Sequence, residues 1–173
     1  MAAVVTYNEW NGELGSQTST PKAGEQIKFK SADDSDANSD NPLVKPNAGV
    51  YRSYEKWIRL SLGDLDESAS VTNLEAFVTG SANTGIVVLA KTEEAYATPL
   101  AGGYSVEGKM TGDKTNIFLY TSDSPLSLGV DAYTEDDADS GIGSYLVMQM
   151  EVFPSANDGD ITPFNLVVRY DEE

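Results

Sequence analysis

The stretch Tyr145-Leu146-Val147-Met148-Gln149-Met150-Glu151-Val152-Phe153 decides the fold. Leu146, Met148, Met150 and Val152 point one way, while Gln149 and Glu151 point the other with Tyr145, Val147 and Phe153. Side chains alternate across a strand, so this period of two puts one face on a core and the other in water or on a partner. The chain closes in the same form, with Phe164, Leu166, Val168 and Tyr170 set against Asn165, Val167, Arg169 and Asp171. Working outward, further strands are predicted over 3–10, 26–30, 51–62, 71–79, 85–91, 104–108 and 115–121, separated by clusters of Gly, Pro, Asn, Asp and Ser. Roughly eight or nine strands at this spacing predict an all-β fold, an antiparallel β-sandwich that is jelly-roll-like.

Helix signals are thin. Tyr54, Trp57, Ile58 and Leu62 fit a helical stripe, but aromatic and β-branched residues dominate 53–62 and favour a strand. A single helical turn is predicted over 91–96, with Thr92 as its cap. The 173 residues suit a single β-sandwich domain over 1–173, with acidic loops at about 31–41 and 134–140. No repeat of solenoid or propeller length recurs.

Composition excludes several classes of function. Eleven Lys and Arg against 28 Asp and Glu leave a net charge of −17. Phosphate binding depends on basic residues displacing counterions, so no nucleic-acid face is expected. The absence of Cys removes disulfides and thiolate chemistry, and the absence of His removes the commonest general base and every Ser–His–Asp triad. The N-terminus carries neither a basic region nor a long apolar stretch, and is not expected to be a signal peptide. The longest apolar run, 86–90, falls far below the ~18 residues of a membrane span, so no membrane partner is expected.

Asp34-Ser35-Asp36-Ala37-Asn38-Ser39-Asp40 sets oxygen ligands at alternate positions, as a calcium loop does. Ser39 stands where that loop needs Gly, and Lys45 where it needs Glu, so a solvated loop is the expectation and no metal or cofactor is assigned. Glu135-Asp136-Asp137-Ala138-Asp139 reads as a charged, exposed turn. A glycosidase needs only two carboxylates. With 28 acids, however, nothing singles out Glu55, Glu75, Asp64 or Asp66, and no catalytic residue is assigned. The glycines of 79–85 and 101–103 are followed by no Gly-Lys-Ser/Thr and read as turns.

The segment 51–60 reverses the sign of the chain. Arg52, Lys56 and Arg59 against Glu55 give a local net charge of +2. Tyr, Trp and Arg are enriched at interface hot spots. Tyr51, Arg52, Tyr54, Lys56 and Arg59 are therefore candidate partner-binding residues; the alternative is a strand whose rings fill the core beneath Arg and Lys stems.

An ordered set of motifs spans about 26–171. It comprises Ile27-Lys28-Phe29-Lys30-Ser31-Ala32-Asp33, Asn41-Pro42 and Pro46, Tyr51-Arg52-Ser53-Tyr54-Glu55-Lys56-Trp57-Ile58-Arg59, Val71-Thr72-Asn73-Leu74-Glu75, and Tyr96-Ala97-Thr98-Pro99. With its closing strand and acidic tail, the chain resembles small virion structural proteins of tailed bacteriophages: decoration, minor capsid or neck–tail proteins. The resemblance implies a non-enzymatic protein located in the virion, made in the host cytoplasm, with the major capsid protein or other virion proteins as partners. It also implies a homo-oligomer, a trimer if it sits at threefold axes. A decoration or cement protein on the outer head surface is the leading expectation; a neck, tail or fibre-base protein is the alternative. A carbohydrate- or receptor-binding sandwich is the third reading, with Tyr104, Tyr133 and Tyr145 as its candidate aromatic platform.

Overall fold

The computed structural model describes residues 3–22, 26–63, 69–137, 141–159 and 161–173, and there the alternating patterns become strands. In chain order these are β1 (Val4–Asn11), β2 (Thr18–Pro21), β3 (Tyr51–Arg52), β4 (Lys56–Gly63), β5 (Val71–Thr79), β6 (Ile86–Glu93), β7 (Thr115–Asn116), β8 (Leu126–Gly129), β9 (Ile142–Val152) and β10 (Asn165–Glu172). The larger sheet runs β2-β1-β4-β9-β6-β7, with β3 also paired to β9; the smaller runs β10-β5-β8, and every pairing is antiparallel. The fold is an all-β sandwich. The successive strands β4, β5 and β6 cross from one sheet to the other and back.

The core lies between the sheets. Leu146, Met148, Met150 and Val152 of β9 lie beside Ile58 and Leu60 of β4 and Val88 and Ala90 of β6, and meet Val71, Leu74, Ala76 and Leu128 of the smaller sheet. The larger sheet is the wider of the two, and Ile27, Phe29 and Leu43, from the segment between β2 and β3, pack against the same core.

The other face of β9 departs from expectation. It faces neither water nor a partner: Tyr145 and Val147 join Trp57, Tyr96 and Met110 in a second buried cluster, and Gln149 and Glu151 are buried as well. The covering comes from the segment 94–114, whose aperiodic sequence carries no sign of it. Its approach to β3 is close. A Cβ on Gly102 would stand 2.1 Å from the Arg52 carbonyl, so only glycine fits there.

Several predicted elements are corrected. Residues 26–30 make no strand, the Lys30 carbonyl accepting one bond from the Tyr54 amide. Residues 104–108 form a loop, and 115–121 divide into β7 and a 3-10 turn, Ile117–Leu119, capped by the Asn116 side chain. The predicted turn over 91–96 is absent because β6 runs on to Glu93. Residues 51–62 break at 53–55, where Ser53 keeps contact with Met150 through its own amide and hydroxyl. The short polar strands β2 and β8 carry too little apolar alternation to be legible.

Candidate functional site

The strand predicted to meet a partner is instead an internal hub. Arg52 is buried, its Nε donating to Glu151 Oε1 at 2.9 Å and its Nη1 to the Ser105 carbonyl at 3.3 Å. Lys56 is 1 % exposed and donates to Glu9 Oε1 and to the Asp34 carbonyl, both at 2.6 Å. Arg59 is half-buried, bonds the Gly143 carbonyl at 3.1 Å, and lies 4.9 Å from the centre of the Tyr145 ring. Tyr51 and Tyr54 are half-buried; the amide of Tyr54 holds the Lys30 carbonyl, and that of Glu55 holds the Leu100 carbonyl. The candidate residues do share one strand region, but Arg52 and Lys56 are turned inward. Around these two residues the strand region is covered by loops of the same chain, and a desolvated cation needs a carboxylate in reach.

Three buried lysines, Lys22, Lys30 and Lys56, all donate to the loop 34–38. Lys56 and Lys22 share the Glu9 carboxylate, at 2.6 and 3.9 Å, and Lys22 also donates to the Ser35 carbonyl. Lys30 reaches Asp34 Oδ2 at 2.6 Å and Asn38 Oδ1 at 2.7 Å. Two residues of the calcium-like pattern thus wrap a lysine ammonium. Their remaining lone pairs fold the loop, Asp34 accepting from the Asp36 amide at 2.8 Å and Asn38 from the Asp40 amide at 3.0 Å. Among the described residues, no group of three or more His, Cys, Asp or Glu is placed to hold a metal ion.

The Lys30 ammonium, helped by the Asp36 amide and opposed by burial, holds the Asp34 carboxyl below its usual 3.8. A carboxyl depressed in the folded state adds stability that is complete above the unfolded value and is lost as pH falls through the folded one. Asp34→Asn is therefore expected to be less stable than the parent at neutral pH, with the gap closing as pH falls below 3.8. Urea midpoints taken between about pH 6 and pH 3 test this, and a gap of constant size would contradict it.

The other sequence candidates are distributed as follows. Tyr145 is 5 % exposed, packed edge-on against Trp57 and Trp10, so it is no sugar platform. Tyr133 is half-buried with its hydroxyl pushed up, chiefly by burial, and its backbone pairs with Val71. Tyr104 alone of the three is exposed, at 58 %, standing edge-on to Tyr51 at 4.9 Å. Glu55 accepts from Trp57 Nε1 and the Leu100 amide, and Glu75 pairs with Arg169 at 2.7 Å. Asp64, Asp66, Ala138 and Asp139 lie outside the described residues. Glu135–Asp137 form a 3-10 turn in which Asp136 is exposed and Asp137 accepts from the Thr134 amide.

What the sequence reading passed over is the set of exposed apolar side chains on loops and turns: Leu14, Val44, Val106, Leu119 and Val130, each more than half exposed. A signal was present for several of them. Leu14, Val106 and Val130 are single apolar residues flanked by Glu, Ser, Gly or Asp, where no period asks for burial. No helix among the described residues is long and apolar enough to cross a membrane. No family model, curated protein or solved structure matches the chain.

Proposed function

We propose that this chain is a non-enzymatic structural protein of a tailed-phage virion, bound to the outside of the head as a decoration or cement protein. The observation that carries the reading is the division of the surface. Lys22, Lys30, Arg52 and Lys56 are spent inside the chain, while isolated apolar side chains stand out on loops and turns. Such a body repels packaged DNA and offers dry anchors to protein neighbours. The resemblance of the ordered motifs supplies the setting: the partner is the major capsid protein or a neighbouring virion protein, and the oligomer is a trimer at threefold positions. Each copy needs only about 1,200–2,000 Å² of total buried surface for a stable contact. Bridging neighbouring coat subunits then adds contact area against internal pressure.

Heads stripped of this protein are expected to release DNA at a lower temperature than complete heads, and adding the protein back should restore the original value. Equal release temperatures would remove the cementing role. Hundreds of copies per particle fit the shell, whereas a small multiple of six or twelve moves the protein to the neck or tail.

A further inference from the structure

The two sheets do not close on one another along their whole length. Between them lies a cavity of about 940 Å³, within the ~300–1,000 Å³ common for small-molecule sites. Leu60, Met148 and Met150 of the larger sheet form one wall, and Leu166 and Val168 of β10 with Phe164 form the other. Residues 26–30, 38–40, 42, 43, 45, 156–159 and 161 add to the lining. Lys45 and Asp158, both in that lining, join two of these segments by an exposed ion pair of 3.2 Å, a weak tie that can open.

Two properties of this space define what fills it. Interiors pack at crystal-like density, and apolar walls facing a void or trapped water forgo both dispersion contacts and burial, so an apolar occupant is favoured. Ile27, Phe29, Phe164, Leu166 and Val168 are only partly buried in this lining and leave apolar surface for an occupant to cover. The second property is charge. Lys30 and Lys45, which line the cavity, are matched by Asp34 and Asp158, whereas Lys28, half-buried in the same lining, has no ion-pair partner among the described residues. Asp40, which also lines the cavity, is exposed, whereas Lys28 is half-buried, and this sheltered cation complements an anion.

We infer that the cavity binds a single-chain anionic amphiphile, a long-chain carboxylate, with its hydrocarbon between the sheets and its head on Lys28. This stands apart from the virion reading, since it depends only on the cavity and the lysine. A ligand held by both sheets stabilises the folded state by mass action.

The probes are laurate and dodecyltrimethylammonium, of equal tail length and opposite charge, titrated into the full chain below their micelle concentrations. Calorimetry is expected to show saturable binding of one laurate per chain with a rise in melting temperature, and weaker binding of the cationic probe. Lys28→Glu should weaken laurate binding by about tenfold or more, the scale of one charge-assisted contact, and narrow its advantage over the cation. Leu166→Trp, which fills the cavity, should abolish binding of both. No saturable laurate binding would overturn the inference and leave the cavity to a segment of a partner protein. Unchanged affinity in Lys28→Glu would overturn it equally, and that variant decides the matter alone if Leu166→Trp does not fold.

Discussion

Glu9→Ala is expected to lose about 3–5 kcal/mol of folding stability, the scale of breaking a buried ion pair by removing one partner. Glu9 is 1 % exposed and stands between the ammonium groups of Lys56 and Lys22, each also 1 % exposed. Without the carboxylate, two cations remain in a site that water does not reach, and carbonyl oxygens of Asp34 and Ser35 replace only part of their solvation. Against the ~5–15 kcal/mol typical of a whole domain, about one fifth or more of the stability is at stake. The denaturant midpoint should fall with little change in slope, and added salt should not restore it, because a buried pair is poorly screened. Glu9→Leu combined with Lys56→Met should recover much of the loss, since exchanging a buried pair for apolar groups is often close to neutral. A loss below about 1 kcal/mol for Glu9→Ala would mean that the cluster is hydrated and contributes as a surface pair does.

This cluster also marks where sequence reading stopped. The strands with strict alternation were legible: β5 falls on 71–79, β9 and β10 on their patterns, and the inward residues of β9 are the core. Period two assigns side chains to two faces, but it does not say what covers each face. The sequences of 26–45 and 94–114 have no period, because their residues are placed by contacts to β1, β3, β4 and β9 and not by a ladder of their own. Hence Arg52 and Lys56 read as surface cations and Gln149 and Glu151 as a wet face, when all four are buried. One local clue existed for Lys30: it precedes Asp34 by four residues and heads the alternating acidic loop, so the loop's cation was already present in the chain.

The same geometry bears on the proposed role. In the proposed role, a protein that spends Lys22, Lys30, Arg52 and Lys56 inside, while its net charge is −17, would meet its neighbours through an acidic surface carrying single apolar anchors such as Leu14, Val106 and Val130. Partners with basic surfaces are attracted at long range, and that steering weakens with salt. The loops must also be rigid if the anchors are to stay in register, which places weight on whatever ties them to the sheets.

For the segment 94–114 one such tie is Gln149, and Gln149→Leu is expected to cost at least about 3 kcal/mol, since three buried groups are left unsatisfied at about 1–3 kcal/mol each. Its side chain has no exposure and makes three bonds: Oε1 accepts from the Met110 amide at 2.8 Å, and Nε2 donates to the carbonyls of Gly108 at 2.6 Å and Ser53 at 3.1 Å. It thereby joins the loop, β9 and the break between β3 and β4 at one point. Leucine keeps the volume and removes every bond, so the loss is local first: amide exchange should accelerate over 94–114 before the core strands respond. Gln149→Glu separates the bonding account from a packing one. It retains an acceptor for Met110 but turns a carboxylate toward two carbonyl oxygens, so it should be the worse variant at neutral pH and recover in part once acid supplies a proton to donate. Equal stability of the Leu and Glu variants at all pH values would show that filling the space, and not the three bonds, is what holds the loop down.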